Sequence, residues 1–286
     1  MPSVIPTLRY IASHPLSSKR RVSAFWRFAK WQIESRLREE VVVDWVAGAR
    51  LIACNGMTGA TGNIYCGLHE FVEMGFLLHL LRPEDLFVDV GANAGSYTVL
   101  ASAVCKAQTI AVEPDPISVK ALIRNVKINA IESRVQVEQV ALGERSGRAY
   151  LTAGRDTTNQ IVSDRSSATQ EIQMRRLDDV VSGKSPMLIK MDVEGHERQV
   201  IDGGRNALRD SSLLAIQLET VNQEVQEDLR RLDFRKMVYN PFSRQLSFSE
   251  TGAIPGCLNT IFVRDVELCR ARTESAPTRQ VFNQAI

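Results

Sequence analysis

The sequence predicts an α/β fold built on a mostly parallel sheet covered by helices on both faces. Three observations predict it. From 86 to 264, short apolar runs of strand length alternate with segments of helical spacing, the pattern of parallel strands joined by helical crossovers. The first apolar run, LFVDV (86–90), ends on an acid and a glycine-bearing turn, GANAG (91–95), that opens the next helix. Of the 286 residues, 44% are hydrophobic and 24% charged, a balance that lets a chain of this length bury a sizeable core.

The elements follow in order. From about Ser18 to Glu40 the residues Val22, Phe25, Trp26, Ala29, Ile33 and Leu37 recur at spacings of three and four, which predicts a helix. The stretch 41–68, with VVVDWV and RLIAC, reads as a small β hairpin or two and an irregular glycine-rich loop, GMTGATGN. A helical stripe runs from His69 to Leu81, and Arg82-Pro83 stops it. Strands are then expected at 86–90, 108–113, 135–142, 187–193 and 213–219, with helices at 96–104, 117–129, 196–208 and 222–232 and closing strands at 234–240 and 258–264. Residues 143–186 break the rhythm and read as a β excursion with a mobile loop. The division expected is an N-terminal extension over 1–68, a main domain over 69–270 and a flexible tail over 271–286.

Composition narrows the function. A net charge of +2 argues against a dedicated nucleic-acid binder, which needs a strong basic excess. Five cysteines, none in a CxxC pair, fit neither a disulfide framework nor a zinc site. They read as small buried hydrophobes in a reducing cytoplasm. No run of 18 apolar residues exists, so no membrane span is expected. The first 40 residues hold eight Lys and Arg against three Glu, an excess of five positive charges, while the rest of the chain sums to −3. A basic helix over 18–40 with Phe25, Trp26 and Trp31 would suit the anionic inner face of a membrane. The plainer reading packs its stripe on the main domain or on a second subunit of a homodimer.

In an open parallel sheet, ligands sit outside the carboxyl ends of the strands, where strand order reverses. Asp89 and Glu113 fall at two such ends. A dinucleotide fold would want G-x-G-x-x-G at the first turn. Here Gly91-Ala92-Asn93-Ala94-Gly95 has only two glycines, and Glu113 follows Gly95 by 18 residues, near the spacing at which an acid meets a ribose. The residues therefore point to a nucleoside held by its ribose without a diphosphate cradle. S-adenosylmethionine is such a ligand, and its cationic amino and sulfonium groups suit Asp89 and the later acid Asp192.

DVGANAGSYT, AVEPDP, RNVKIN, VALGERSG and IKMDVEGHE with VIDGG behind it together resemble the FkbM family of S-adenosylmethionine-dependent methyltransferases, over about 69–264. The resemblance implies the class I, Rossmann-like methyltransferase fold: a three-layer sandwich around a mostly parallel seven-stranded sheet with an antiparallel last strand. It places Asp89, Gly91, Ala92, Asn93 and Gly95 in the cofactor turn. Glu113 would sit on both ribose hydroxyls, with Pro114 and Asp115 where the adenine lies, and the strand end around Val140 on the adenine side. Asp192 would stand beside the transferring methyl, and Glu194 and His196 complete that motif. Family members typically methylate hydroxyls, often on sugars or polyketide-derived products. The resemblance does not extend to the region before 69.

Methyl transfer to an alcohol needs alignment and removal of a proton. Asp192, Glu194 and His196 are the catalytic candidates, with Glu219 at the end of the next strand as a further one. Acceptor choice is expected from the N-terminal helix, the 54–68 loop and the 153–170 loop, where Asp156, Thr157, Thr158, Asn159 and Gln160 would suit a sugar, free or lipid-linked. No metal-ligand cluster is evident. Three alternatives stay open: N-methylation of a small-molecule amine, a non-catalytic nucleoside-binding module, and a nicotinamide-dependent oxidoreductase, against which the missing middle glycine argues.

Overall fold

A computed structural model describes residues 4–18, 20–54, 57–152, 161–162, 169–248 and 259–286. The chain opens with helices α1 (Val4–Ser13), α2 (Pro15–Ser18) and α3 (Arg21–Leu37), then the antiparallel hairpin β1 (Val41–Asp44) and β2 (Arg50–Ala53). The glycine-rich segment expected as an irregular loop is instead helix α4 (Thr58–Cys66), ended by Gly67 at φ +94°. Helix α3 forms where expected, but its packing face differs. Ala24, Trp31 and Ser35 are buried, whereas Val22, Trp26, Ile33 and Leu37 of the predicted stripe face solvent.

The central sheet follows: α5 (Phe71–Leu80), β3 (Leu86–Val90), α6 (Ser96–Val99, continued to Val104 with wider π spacing), β4 (Gln108–Val112), α7 (Pro116–Ile128) and β5 (Val135–Glu138). The run 135–142 divides, because its last two residues, β6 (Ala141–Leu142), leave for a second sheet with β7 (Gly147–Thr152), β8 (Ile161–Val162) and β9 (Thr169–Arg175). This four-stranded sheet is the expected β excursion; Asp156 through Gln160 and most of the 153–170 loop lie outside the described residues. After α8 (Leu177–Val180) come β10 (Leu188–Met191), α9 (Glu197–Gly203), β11 (Ala215–Leu218), α10 (Gln223–Arg231), β12 (Arg235–Asn240), β13 (Gln245–Phe248) and β14 (Thr260–Val263).

The sheet order is β13-β12-β14-β11-β10-β3-β4-β5. Pairs from β11 through β5 are parallel, and β14 runs antiparallel to both its neighbours. Seven of these strands make the sheet the resemblance implies. The eighth, β13, is an edge strand that folds back on β12 through a turn at Pro241–Arg244. Strand order reverses between β3 and β10, so the ends of those two strands open a crevice.

The segment before 69 is packed into the same core. Leu16, Trp45, Val46 and Leu51 share one buried cluster with Leu77, Leu78, Phe87 and Leu100. Two asparagines of RNVKIN fasten the hairpin to α7: Asn125 Oδ1 accepts from Ile52 N at 2.7 Å, and Asn129 Oδ1 accepts from Arg50 N at 2.8 Å. The tail expected to be flexible is also anchored. Helix α11 (Val266–Glu274) crosses the expected boundary, and the short hairpin β15 (Gln280–Val281) and β16 (Gln284–Ala285) buries Val281 and Ile286. Cys66, Cys105 and Cys269 are buried thiols, as expected, whereas Cys54 is only half-buried; Cys257 lies outside the described residues.

Candidate active site

A cavity of about 400 Å³ opens at the carboxyl ends of β3, β4, β10 and β11, within the usual range of roughly 300–1,000 Å³ for small-molecule sites. Its first wall is the turn after β3. Gly91 stands at φ +77°, and a Cβ there would lie 1.9 Å from the Asp192 carbonyl oxygen. Only glycine lets the β3 and β10 loops approach this closely. Asn93 takes φ +48° and Gly95 φ +86°, which turns the chain into α6. Asn125 Nδ2 donates to the Ala94 carbonyl at 2.9 Å, so the asparagine that holds the N-terminal hairpin also steadies this turn.

Glu113 ties the turn to the end of β4. One of its carboxylate oxygens accepts from Asn93 N at 2.8 Å and the other from Asp115 N at 2.9 Å. Burial outweighs these two bonds and pushes its carboxyl up to about 7. A carboxylate has about four lone-pair sites, so two remain for donors from the cavity. Asp115 caps α7, accepting from Ser118 N at 3.1 Å and Ser118 Oγ at 3.0 Å. Pro114, Asp115, Ser118, Val140, Ala141 and Leu142 complete this end of the cavity.

The far end is acidic. Asp192 and Glu194 line it after β10, and Glu219 lines it after β11. Lys190, buried on β10, donates to Asp192 Oδ2 at 2.9 Å and lies 4.6 Å from the centre of the Tyr97 ring. Burial alone would lower the Lys190 ammonium, but the Asp192, Glu70 and Asp89 carboxylates outweigh it and raise its pKa. The Asp192 carboxyl resists ionisation through burial, yet Lys190 and a hydrogen bond shared with Glu219 hold it below the usual range. Burial first, then Asp192, pushes Glu219 up to about 8. The two shifts run in opposite directions, so within the pair Asp192 is the more readily ionised and Glu219 the more readily protonated. Glu194 is held in the left-handed region at φ +53°; burial, then Asp192 and Glu197, raises its carboxyl.

The cavity gathers Gly91, Ala92, Asn93, Glu113, Pro114, Asp115, Val140, Asp192 and Glu194 from the predicted site residues. Gly95 shapes the turn from behind, its Cα facing Leu122. Asp89 is fully buried and does not line the cavity; Thr98 Oγ1 donates to its Oδ2 at 2.6 Å, and its Oδ1 has no partner. His196 precedes α9, does not line the cavity, and buries an Nε2 without a partner. Burial lowers its pKa.

Sequence reasoning missed Lys190, Tyr97, His69, Glu70 and Asn259, all of which line the cavity. Tyr97 OH and Asn259 Nδ2 both donate to Glu70 Oε2, and Tyr10 OH lies 2.7 Å from His69 Nδ1. Lys190 had a legible signal, since a lysine between apolar strand residues must be paired to be buried. The others had none, because helix and loop positions far apart in sequence meet only in the fold. The fold also brings one carboxylate oxygen each of Asp192, Glu194 and Glu219 within 4.8 Å of one another. A divalent cation bound through oxygen would accept that set, a cluster not evident in the sequence; Lys190 already serves Asp192 as its cation.

A family model described as the methyltransferase FkbM domain matches residues 89–239. Among curated proteins, the chain is 26% identical to the hexuronic acid methyltransferase AglP of Haloferax volcanii over 145 residues, 50% of this chain and 59% of that protein. It is 30% identical over 84 residues to a tRNA(Phe) (4-demethylwyosine(37)-C(7)) aminocarboxypropyltransferase of Pyrococcus horikoshii, 29% of this chain and 26% of that one. The chain thus spans less than two thirds of either relative. Among solved structures, an rRNA methylase of Streptococcus thermophilus superposes with a TM-score of 0.40 at 13% identity, covering 66% of this chain and 91% of that one. A Streptococcus mutans protein solved in complex with SAH gives 0.39 at 9% identity, covering 68% and 96%. The family match spans more than half of the chain, from Asp89 at the end of β3 to Tyr239 in β12, and takes in every acid placed around the cavity except Glu70: the chain belongs to the FkbM methyltransferase family.

Proposed function

We propose that this protein is an S-adenosylmethionine-dependent O-methyltransferase acting on a hydroxyl of a sugar or related metabolite, with Glu219 and Asp192 handling the proton. The observation that carries the reading is the cavity's polarity. A half-protonated acid with two free lone-pair sites, Glu113, stands at one end, and the acid pair Asp192–Glu219 at the other.

The residues present fit the cofactor. Glu113 suits the ribose diol, Pro114, Val140, Ala141 and Leu142 offer apolar surface for the adenine, and the acidic end suits the cationic amino and sulfonium groups. Asp89, buried beneath the turn, adds a carboxyl next to Lys190 and Asp192 without reaching the cavity itself. The cofactor supplies an electrophilic methyl group on a neutral leaving sulfide, which needs no acid. The chain's own task is to align the acceptor and take its proton. Glu219, with a carboxyl near 8, matches the operating pH expected of a general base. Asp192, kept ionised by Lys190, orients the acceptor hydroxyl and stabilises the proton on Glu219. His196 is not used, since it does not reach the cavity.

AglP acts on a hexuronic acid by its name. Here Glu70, Asp192, Glu194 and Glu219 face the acceptor end with Lys190 already paired, so a neutral sugar hydroxyl is favoured over a free uronate. The same acidity supports the second reading, N-methylation of a cationic amine or amino sugar. The test is transfer of a labelled methyl group to a panel of neutral, amino and uronic glycosides. O-methylated neutral sugar is the expected product; exclusive labelling of amines would establish the second reading instead, and no transfer to any acceptor would count against both.

A further inference from the structure

Helix α3 carries an apolar stripe that none of the described residues covers. Val22 is 85% exposed, Trp26 69%, Ile33 60% and Leu37 78%. At 100° per residue these four fall within about 60° of one another on the helix, opposite the buried Ala24, Trp31 and Ser35. Lys30 and Arg36 flank the stripe on its two sides. Arg36 is exposed, and Lys30 has only a 3.8 Å exposed pair with Glu34, a weak tie. The helix has 17 residues, and no helix among the described residues is long and apolar enough to cross a membrane. An exposed apolar stripe between basic residues, on a helix too short and polar to span, is the form of a helix that lies in a bilayer interface.

We infer that α3 docks this protein on an anionic lipid surface, with Trp26 and Leu37 entering the headgroup–acyl boundary. Charge complementarity selects that occupant over a second copy of the chain. The first 40 residues carry an excess of five positive charges while the rest sums to −3, so a two-fold pairing through the stripe would set two basic segments against each other. An anionic bilayer satisfies the stripe and its flanks together. The docked helix adjoins the cavity: Arg27 donates to the Tyr65 carbonyl of α4 at 2.7 Å, and Asn63 of α4 donates to Ser96 Oγ at 3.2 Å and accepts from His69 N at 2.8 Å. The docked helix is thus tied through α4 to Ser96 and His69, which line the cavity.

Trp26 reports on the contact by itself, because Trp31 and Trp45 are buried. The full chain is mixed with vesicles of phosphatidylcholine alone and with phosphatidylglycerol added. The expected result is cosedimentation with the anionic vesicles only, a blue shift of tryptophan emission, quenching by brominated acyl chains, and loss of binding in high salt. Trp26→Ser with Leu37→Ser should abolish binding without altering the thermal melt, since both residues are exposed. Lys30→Gln with Arg36→Gln should weaken it roughly 25-fold, about fivefold per charge removed. Absence of anionic-vesicle binding overturns the inference. So does concentration-dependent dimerisation in sedimentation velocity that Trp26→Ser removes, which would assign the stripe to a second copy.

Discussion

Glu113 is a buried acid whose carboxyl burial pushes up to about 7, despite bonds from the Asn93 and Asp115 amides. A ligand diol that donates to it favours the ionised form, so binding should lower its pKa and release a proton. With a value near 7 in the free protein, about a tenth of the molecules carry the carboxylate at pH 6 and about nine tenths at pH 8. A ligand that binds only the carboxylate form is then held about ninefold tighter at pH 8, or about 1.3 kcal/mol. The sign for stability is the opposite. A raised folded pKa means that the free protein loses stability as pH rises from the ordinary 4.5 through about 7, by roughly 3 kcal/mol, and a bound diol relieves part of that cost. The suitable probe is 5′-methylthioadenosine, which has the ribose diol but no amino group to titrate. Calorimetry at pH 6, 7 and 8, in buffers of different ionisation enthalpy, reads both affinity and proton release. Glu219 titrates in a nearby range, so Glu113→Gln is the control. The variant cannot accept from both amides and will bind more weakly, but its affinity should be flat with pH. A flat profile in the wild type, or an unchanged slope in Glu113→Gln, would refute the placement of the ribose on Glu113.

Glu219→Gln should lower kcat by about 100-fold or more and erase a wild-type kcat/KM rise that levels off above about pH 8; steady-state rates across pH check it. Gly91→Ala sets a Cβ against the Asp192 carbonyl at a positive φ and should cost about 2–4 kcal/mol, seen as a fall in Tm together with loss of nucleoside binding. Lys190→Met removes the cation between Asp192, Asp89 and Glu70. Because the Lys190 pKa is raised, its contribution is fully present below the ordinary lysine value, so the variant should show a Tm deficit throughout pH 5 to 8.

Seven of the eight strands of the central sheet, all but the edge strand β13, were legible because each reads as a short apolar run with a helix or turn after it; β3, β4, β10 and β11 end at Val90, Val112, Met191 and Leu218. The glycine turn, Glu113 and Asp192 were legible because strand-end acids and glycines are local signals. Three features were not. GMTGATGN reads as loop by composition, yet α4 forms because Ile64, Tyr65 and Cys66 find a buried place beside Trp31 and Val41. On α3 the larger apolar residues mark the predicted face, but the residues that pack are the small Ala24 and Ser35 with Trp31; periodicity finds a stripe and cannot say what covers it. The tail is anchored by contacts with residues more than 200 positions away: Gln284 donates to the Leu16 carbonyl, and Val281 packs beside Gly67. Likewise Glu70 and Asn259 meet only in the fold, and His196 sits next to a legible motif while its ring remains outside the cavity.

The most direct test of the whole account is calorimetric titration of the full chain with S-adenosylmethionine and S-adenosylhomocysteine, with NAD as the control. The account predicts saturable one-site binding of the first two and none of NAD, since the cavity has a ribose acid and an acidic far end but no diphosphate cradle. Binding of NAD, or no binding of either adenosyl ligand with or without a sugar acceptor present, would contradict it.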